Sequence, residues 1–171
     1  MKGQDFLLLV KVLFWSEGPW SNAKIGKTLG LSSSQVHYSL KRLVKVGLIG
    51  EKTHFPKVDL MLEYIEHAIK FIHPPEWLGE KYGIPTAHSM EPLSKNINSS
   101  LVVVWPDNSR KNKGPALKPI HPGVPLASCK DRQLYEFMSL VEAYRSGRTR
   151  EKQMALKEIR SRLKKRKPKF E

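Results

Sequence analysis

The stretch Ser21–Gly50 constrains the fold more than any other part of the chain. Two glycines within it, Gly30 and Gly47, each follow a run of residues with helical periodicity. Glycine readily adopts the left-handed conformation that commonly ends a helix. The sequence therefore predicts one helix over Ser21–Leu29 and a second that starts at Ser32 and ends at Gly47, joined by a tight turn.

Each of these two helices begins with a capping residue. A serine hydroxyl accepts hydrogen bonds from the free amides of a first helical turn, and Ser21 is placed to do so. Ser32 is followed three residues later by Gln35, a spacing that predicts a capping box. Leu31 and Val36 flank the box at the spacing of a hydrophobic staple. Both helix starts are thus predicted from local sequence alone.

The second helix has two chemically different faces. At 100° per residue, Val36, Leu40 and Leu43 cluster on one side, where they are expected to pack in the core. The other side carries hydroxyls, an amide, aromatic rings and cations, which suit phosphates and base edges. Solvated helix faces usually mix charges of both signs, but no Asp or Glu occurs within residues 21–50.

We therefore predict that this face binds nucleic acid, with its N-terminal half nearest the bases. The predicted base-edge contacts are Ser34, Gln35, His37 and Tyr38, with Ser33 beside them. The predicted phosphate contacts on the helix are Lys41, Arg42 and Lys45. In the loop that follows, Lys52, His54 and Lys57 are predicted to reach the minor groove or the backbone.

The elements around this pair of helices are also predicted. Residues 4–16 indicate a helix that is apolar on nearly every side, which is more than one core face requires. The surplus is expected to pack on the C-terminal half or on a second subunit. Leu48–Glu51 predicts a short strand and Lys52–Lys57 a small turn or wing. Asp59 is expected to cap a further helix that ends near Ile72.

The C-terminal part has weaker signals. Residues 73–100 lack periodicity and are rich in Pro, Gly, Ser and Asn, which is typical of a long connection. Leu101–Trp105 is the best predicted strand, and a strand near Ala116–Ile120 is expected to pair with it as a hairpin. Two helices are predicted over 130–146 and 149–164.

The charge of the chain favours a polyanionic partner. The sequence has 30 Lys and Arg against 16 Asp and Glu, a formal net charge of +14. The excess lies at the two ends: the net charge is +5 over 1–50, −2 over 51–100, +5 over 101–150 and +6 over 151–171. Such a surplus suits nucleic acid or an anionic membrane surface.

The segment Ile25–Ile49, with the sequence IGKTLGLSSSQVHYSLKRLVKVGLI, resembles the MarR-like winged-helix proteins. The likeness lies in a small helix ending in Leu-Gly-Leu-Ser, a recognition helix with apolar residues four and seven positions apart, and a Gly-Leu-Ile that enters the wing. It implies a winged helix-turn-helix over the first 75 residues, a bacterial source, and double-stranded DNA as the partner.

The expected fold class is α+β, mainly α. Residues 1–75 are the predicted winged helix-turn-helix DNA-binding domain, and 76–164 a hairpin-plus-two-helix region for dimerisation or partner binding. Residues 165–171 are a predicted basic tail.

Several other classes of function are not indicated. The six histidines and Cys129 lack the paired spacing of metal ligands, so we expect no metal. Neither a nucleophile elbow nor a Gly-rich phosphate loop is present, so we expect no enzyme and no cofactor. The apolar run Phe6–Val10 is too short to span a bilayer. A single cysteine suits the cytoplasm, and no membrane partner is expected.

Two functions therefore stay open. One is a sequence-specific transcriptional regulator that binds DNA as a homodimer. The other is an antitoxin or accessory subunit whose C-terminal half binds a protein encoded by a neighbouring gene. The second rests on a resemblance of VWPD and DRQLYEFMSLVEAYRSGRTRE to bacterial winged-helix proteins encoded beside nucleotidyltransferase-like toxin genes. The two are compatible, since antitoxins often repress their own promoters.

Overall fold

The computed structural model describes residues 1–16 and 18–166, so most of the predicted basic tail lies outside it. The fold is α+β and mainly helical, as predicted. The helices are α1 (Gly3–Leu13), α2 (Asn22–Leu29), α3 (Ser33–Lys45), α4 (Val58–Glu63), α5 (Ile69–Ile72), α6 (Val124–Lys130), α7 (Arg132–Ser146) and α8 (Thr149–Lys164). The strands are β1 (Trp77–Pro85), β2 (Val104–Pro106) and β3 (Asn112–Leu117).

The predicted starts of α2 and α3 are confirmed by their caps. Ser21 Oγ accepts from the amide of Lys24 at 3.3 Å. Ser32 Oγ accepts from the amide of Gln35 at 3.2 Å, and Gln35 Oε1 accepts from the amide of Ser32 at 2.8 Å. Gly30 joins the two helices in the left-handed region, with φ of 69°. The relative orientation of α2 and α3 is therefore determined locally.

Helix α1 ends at Leu13, earlier than predicted, and is buried on nearly all sides within one chain. The rings of Phe14, just after α1, and Phe137 of α7 lie 5.2 Å apart. Lys11 Nζ forms a 2.7 Å ion pair with Asp131, the N-cap of α7. The surplus apolar surface thus packs on the C-terminal half, so it no longer argues for a second subunit.

The segment after α3 differs in detail from the prediction. The strand predicted over Leu48–Glu51 is reduced to a single bridge between Ile49 and Pro56. Asp59 is not the cap of α4, because the helix starts one residue before it. A π-helical turn, Tyr64–Ala68, joins α4 to α5, so that the helical run ends at Ile72 as predicted.

The predicted connection over 73–100 is wrong, because it contains the longest strand. Strand β1 pairs antiparallel with both β2 and β3, whereas β2 and β3 meet only at Val104 and Ala116. The two strands predicted over 101–105 and near 116–120 overlap β2 and β3, but the predicted hairpin is wrong because β2 and β3 pair parallel. The three strands close on themselves as a small sheet.

Close approach of the strands explains a glycine in β1. A Cβ on Gly83 would overlap the carbonyl oxygen of Trp105. In a sequence pattern, a glycine usually indicates a break in a strand, but Gly83 permits β1 to pair closely with β2. A register shift between Trp77 and Glu80 further disrupts the alternation. Local pattern therefore could not identify β1.

Among the described residues after β3, the chain forms three α-helices rather than the two predicted. Helices α7 and α8 confirm the predictions over 130–146 and 149–164. Helix α6 was not predicted. Pro125 lies in its first turn, where proline is tolerated.

A buried arginine joins these helices to the rest of the fold. Arg145 Nε donates to Glu142 Oε2 at 2.7 Å, and its Nη1 donates to the carbonyls of His73 and Pro74 at 3.0 Å. Its Nη2 donates to the carbonyl of Lys118 at 2.8 Å. One guanidinium therefore links α7 to the residues that follow α5 and β3. The other carboxylate oxygen of Glu142 accepts from the indole of Trp105.

We predict that Arg145→Met lowers the free energy of unfolding by about 3–5 kcal/mol, because it leaves the buried Glu142 carboxylate unpaired. Urea unfolding at neutral pH, followed by tryptophan fluorescence, measures the change. The control is Arg110→Met, whose pair with Asp107 is exposed and contributes little. Equal midpoints for the two variants would contradict the structural role of Arg145.

Candidate nucleic-acid interface

One side of α3 is exposed along its length and carries most of the predicted contacts. We call this side the α3 face. It consists of Ser33, Ser34, Gln35, His37, Tyr38, Lys41 and Lys45, all of them exposed. Tyr38 is the most prominent large side chain, with 59% of its surface accessible.

The orientation of α3 follows from its apolar side. Val36 and Leu43 are fully buried, and Leu40 is largely so. They pack in the same core as Ile25 and Leu29 of α2. Because these positions face inward, the polar and cationic positions of α3 face outward. The helical periodicity of the sequence predicted this division correctly.

A groove of about 750 Å³ lies beside the α3 face. Its apolar lining includes Trp20 before α2 and Val44 of α3. Its polar and remaining lining residues are Pro19, Ser21, Asn22, His37, Leu40, Lys41, Lys45, Glu51, Thr53 and His54. Three α3-face residues and the following loop therefore share one concave surface. The sequence analysis did not identify Trp20 as part of this surface.

The loop between α3 and α4 is held by its backbone. The amide of Gly50 donates to the carbonyl of Phe55 at 3.0 Å, and the amide of Lys57 donates to the carbonyl of Leu48 at 2.8 Å. His54 has a φ of 50°, in the left-handed region. Its ring meets that of Trp20 edge to face at 6.2 Å. The structure thus brings His54 to the groove.

Two other predicted loop contacts are not in the groove lining. Lys52 and Lys57 are exposed, but neither lines this concave surface. Glu51 does line it, so the surface is less purely cationic than the α3 sequence suggests. A smaller hollow of about 270 Å³ lies at the start of α3, lined by Asn22, Ser33, Ser34, His37 and Tyr38.

Arg42 has a partner that the sequence pattern did not indicate. Its Nη2 donates to Asp5 Oδ1 at 2.7 Å and its Nε donates to Asp5 Oδ2 at 3.0 Å. Asp5 is fully buried. Ser39 Oγ accepts from Arg42 Nη2 at 3.0 Å and from Gln4 Nε2 at 2.7 Å. The predicted phosphate contact of Arg42 stays a prediction, whereas its observed contact ties α3 to α1.

The charge of Asp5 is stabilised by these contacts. Burial alone would raise the pKa of Asp5, but hydrogen bonds from Arg42, the Lys2 amide and Ser39 outweigh it. The pKa of Asp5 therefore lies below its usual value of 3.8. A carboxyl with a lowered pKa stabilises the folded state above its unfolded pKa, and this contribution is lost as the pH falls through the folded value.

We predict that Asp5→Asn lowers the free energy of unfolding at neutral pH, and that the deficit narrows as the pH falls below about 4. Urea unfolding between pH 7 and pH 2.5 measures both curves. Glu63→Gln, at an exposed position of α4, is the matched control. A deficit that stays constant down to the lowest pH would contradict a contribution from the Asp5 charge.

Other kinds of site have little support within residues 1–16 and 18–166. This part of the chain has no group of three or more His, Cys, Asp or Glu side chains arranged to hold a metal ion. None of its helices combines the length and the apolar character that crossing a membrane requires. No protein-family model, curated protein or solved structure matches the chain.

Proposed function

We propose that the protein is a sequence-specific, double-stranded DNA-binding regulator of transcription that places α3 in the major groove. The α3 face carries this proposal: it is exposed, free of acids, and composed of serines, an amide, a histidine, a tyrosine and two lysines. Side chains of these kinds contact base edges and phosphates. The rigid helix beneath them presents them together.

The surrounding geometry supports a winged helix-turn-helix of the MarR-like kind. Helices α2 and α3 are joined by a short turn through Gly30. The Ile49–Pro56 bridge closes the loop after α3 at the position of a wing. In such proteins the first helix of the pair crosses the backbone and the second enters the major groove.

The two halves of the α3 face have different proposed roles. Tyr38 and His37, whose rings lie 5.6 Å apart, stand near the N-terminal end that enters deepest. Lys41 and Lys45 lie one and two turns further on and line the groove beside His54. We assign base-edge contacts to the first pair and phosphate contacts to the second.

The phosphate role predicts a change in salt dependence. Lys41→Gln combined with Lys45→Gln should weaken binding to all duplexes alike. Counterion release predicts that the slope of log K against log salt becomes shallower by about 0.9 for each lost contact. Fluorescence anisotropy between low and physiological salt measures the slope. Binding by the wild-type chain that does not change with salt, or no duplex binding at all, would refute the proposed function.

The base-edge role predicts a loss confined to the preferred sequence. Tyr38→Ala should cost about 1–3 kcal/mol on a duplex selected from a random library, and little on an unrelated duplex. Gln35→Ala is a poorer test, because it also removes the capping box of α3. Tyr82→Ala is the matched control, at an exposed tyrosine of β1 that is not part of the α3 face. Equal losses on both duplexes would show that Tyr38 does not read sequence.

A protein partner has separate support from exposed apolar side chains. Val46, Leu60, Phe71 and Ile72 are 59%, 38%, 73% and 46% exposed. Three of them line one groove with Met1 and Leu48. Such a patch is typical of protein–protein contact, so the homodimer and the antitoxin or accessory subunit remain as proposals. Light scattering of the purified chain and a pull-down from native cells distinguish a second copy from a different protein.

A further inference from the structure

Helix α8 has one apolar side and one exposed cationic side. Ala155, Ile159 and Leu163 are buried in the core. At 100° per residue, Arg150, Lys157 and Lys164 fall within about 40° of one another on the opposite side. We call these three residues the α8 stripe. All three are exposed, and so are Gln153 and Ser161, which lie beside them.

No acid among residues 1–16 and 18–166 neutralises the α8 stripe. Other arginines of α8 are paired: Arg160 with Glu66, and Arg162 with Glu136 and Glu158. By contrast, no side chain of the stripe forms an ion pair with any residue that the structure describes.

The acids of α8 itself are engaged elsewhere. Glu151 accepts from the backbone amide of Arg148 at the start of the helix and lies near His88. Glu158 is paired with Arg162. A helix face that only had to be solvated would carry mixed charges, so a row of unpaired cations indicates a polyanionic partner.

The dimensions of the stripe suit a duplex backbone. Consecutive cations are seven residues apart, which at 1.5 Å per residue is about 10 Å, and the full row spans about 21 Å. Each cation can therefore contact a different phosphate. Gln153 and Ser161 add hydrogen-bond donors of the kind that also contact phosphate oxygens.

The apolar side of α8 argues against a membrane as this partner. A helix that lies on a membrane inserts its own apolar face between the lipids. In α8 that face is in the protein core, with Ala155, Ile159 and Leu163 at most 1% exposed. Met154, the large apolar residue nearest the exposed side, is partly buried against the core and is therefore not free to insert.

We propose that the α8 stripe is a second, sequence-independent surface for double-stranded DNA, distinct from the α3 face. It extends the proposed function but rests on separate residues and separate charges. The chain would then contact duplex phosphates through both its N-terminal and its C-terminal parts, which are the parts that carry the excess of cations.

The test compares two triple variants of the full chain that lower the net charge by the same amount. The stripe variant combines Arg150→Gln, Lys157→Gln and Lys164→Gln. The control combines Lys81→Gln, Lys111→Gln and Lys130→Gln, at exposed positions outside α3 and α8. The probe is a fluorescent 30-base-pair duplex of random sequence, titrated at several salt concentrations. Unfolding midpoints confirm that both variants are folded.

For the stripe variant, the slope of log K against log salt should become shallower by up to about 2.7, which is about 0.9 for each lost phosphate contact. The control should keep the wild-type slope. Equal slopes for the two variants would overturn the proposal. So would a stripe variant that binds the duplex normally but loses binding to phosphatidylserine-containing vesicles, because the stripe would then be a lipid surface.

A third variant separates this proposal from the proposed function. It combines Tyr38→Ala, Lys41→Gln and Lys45→Gln on the α3 face. If only the stripe variant loses duplex binding, the α8 proposal stands and the α3 proposal fails. If only the α3 variant loses it, the reverse holds. Losses in both variants, larger when they are combined, support two surfaces on one chain.

Discussion

A buried guanidinium must have a partner for each of its donors, and Arg145 finds them on three separate segments. Glu142 lies on its own helix, whereas the carbonyls of His73, Pro74 and Lys118 come from the ends of two other elements. Unpaired polar groups in a core are costly. The arginine can therefore be buried only when α7, the end of β3 and the chain after α5 are all in place. The cationic side of α8 depends on this assembly, because α8 packs on α7.

Asp5 and Arg42 act in the same way on a smaller scale. The carboxylate is buried beneath α3 and is satisfied by a guanidinium from α3 and by the first turn of α1. The pair holds α3 at a fixed position on α1 and leaves Tyr38, Lys41 and Lys45 outside. The exposure of the α3-face side chains thus depends on the buried Asp5 carboxylate, which holds α3 from its inner side.

The parts of the fold that were predictable are those that depend on near neighbours in sequence. The caps of α2 and α3, the turn at Gly30 and the inward side of α3 each involve residues within a few positions of one another. Strand β1 was missed because its pairing depends on distant strands and on a glycine at a close approach. Helix α6 was missed because Pro125 has the sequence signature of a turn, although proline is tolerated in the first turn of a helix, where it lies.

The residues of the candidate site likewise fall into those that local periodicity predicts and those that depend on distant contacts. Periodicity placed Ser33, Ser34, His37, Tyr38, Lys41 and Lys45 on the exposed side of α3. Periodicity also placed Arg42 on the exposed side, because the pattern of α3 cannot reveal the contact of Arg42 with Asp5, a residue distant in sequence. The contribution of Trp20 to the groove depends on how the loop after α3 folds back toward α2. Neither relationship has a local signal in the chain.

The capping box of α3 sets the hydrogen-bond polarity of Gln35. Its Oε1 turns back to the amide of Ser32, so the amide NH₂ is the end of the side chain that faces away from the helix start. Glutamine recognises adenine by donating to N7 while accepting from N6, and that pairing requires an available carbonyl oxygen. In the proposed complex with DNA, the cap engages the carbonyl oxygen of Gln35 and leaves mainly its NH₂ group for the bases, which suits an acceptor-rich edge such as N7 and O6 of guanine.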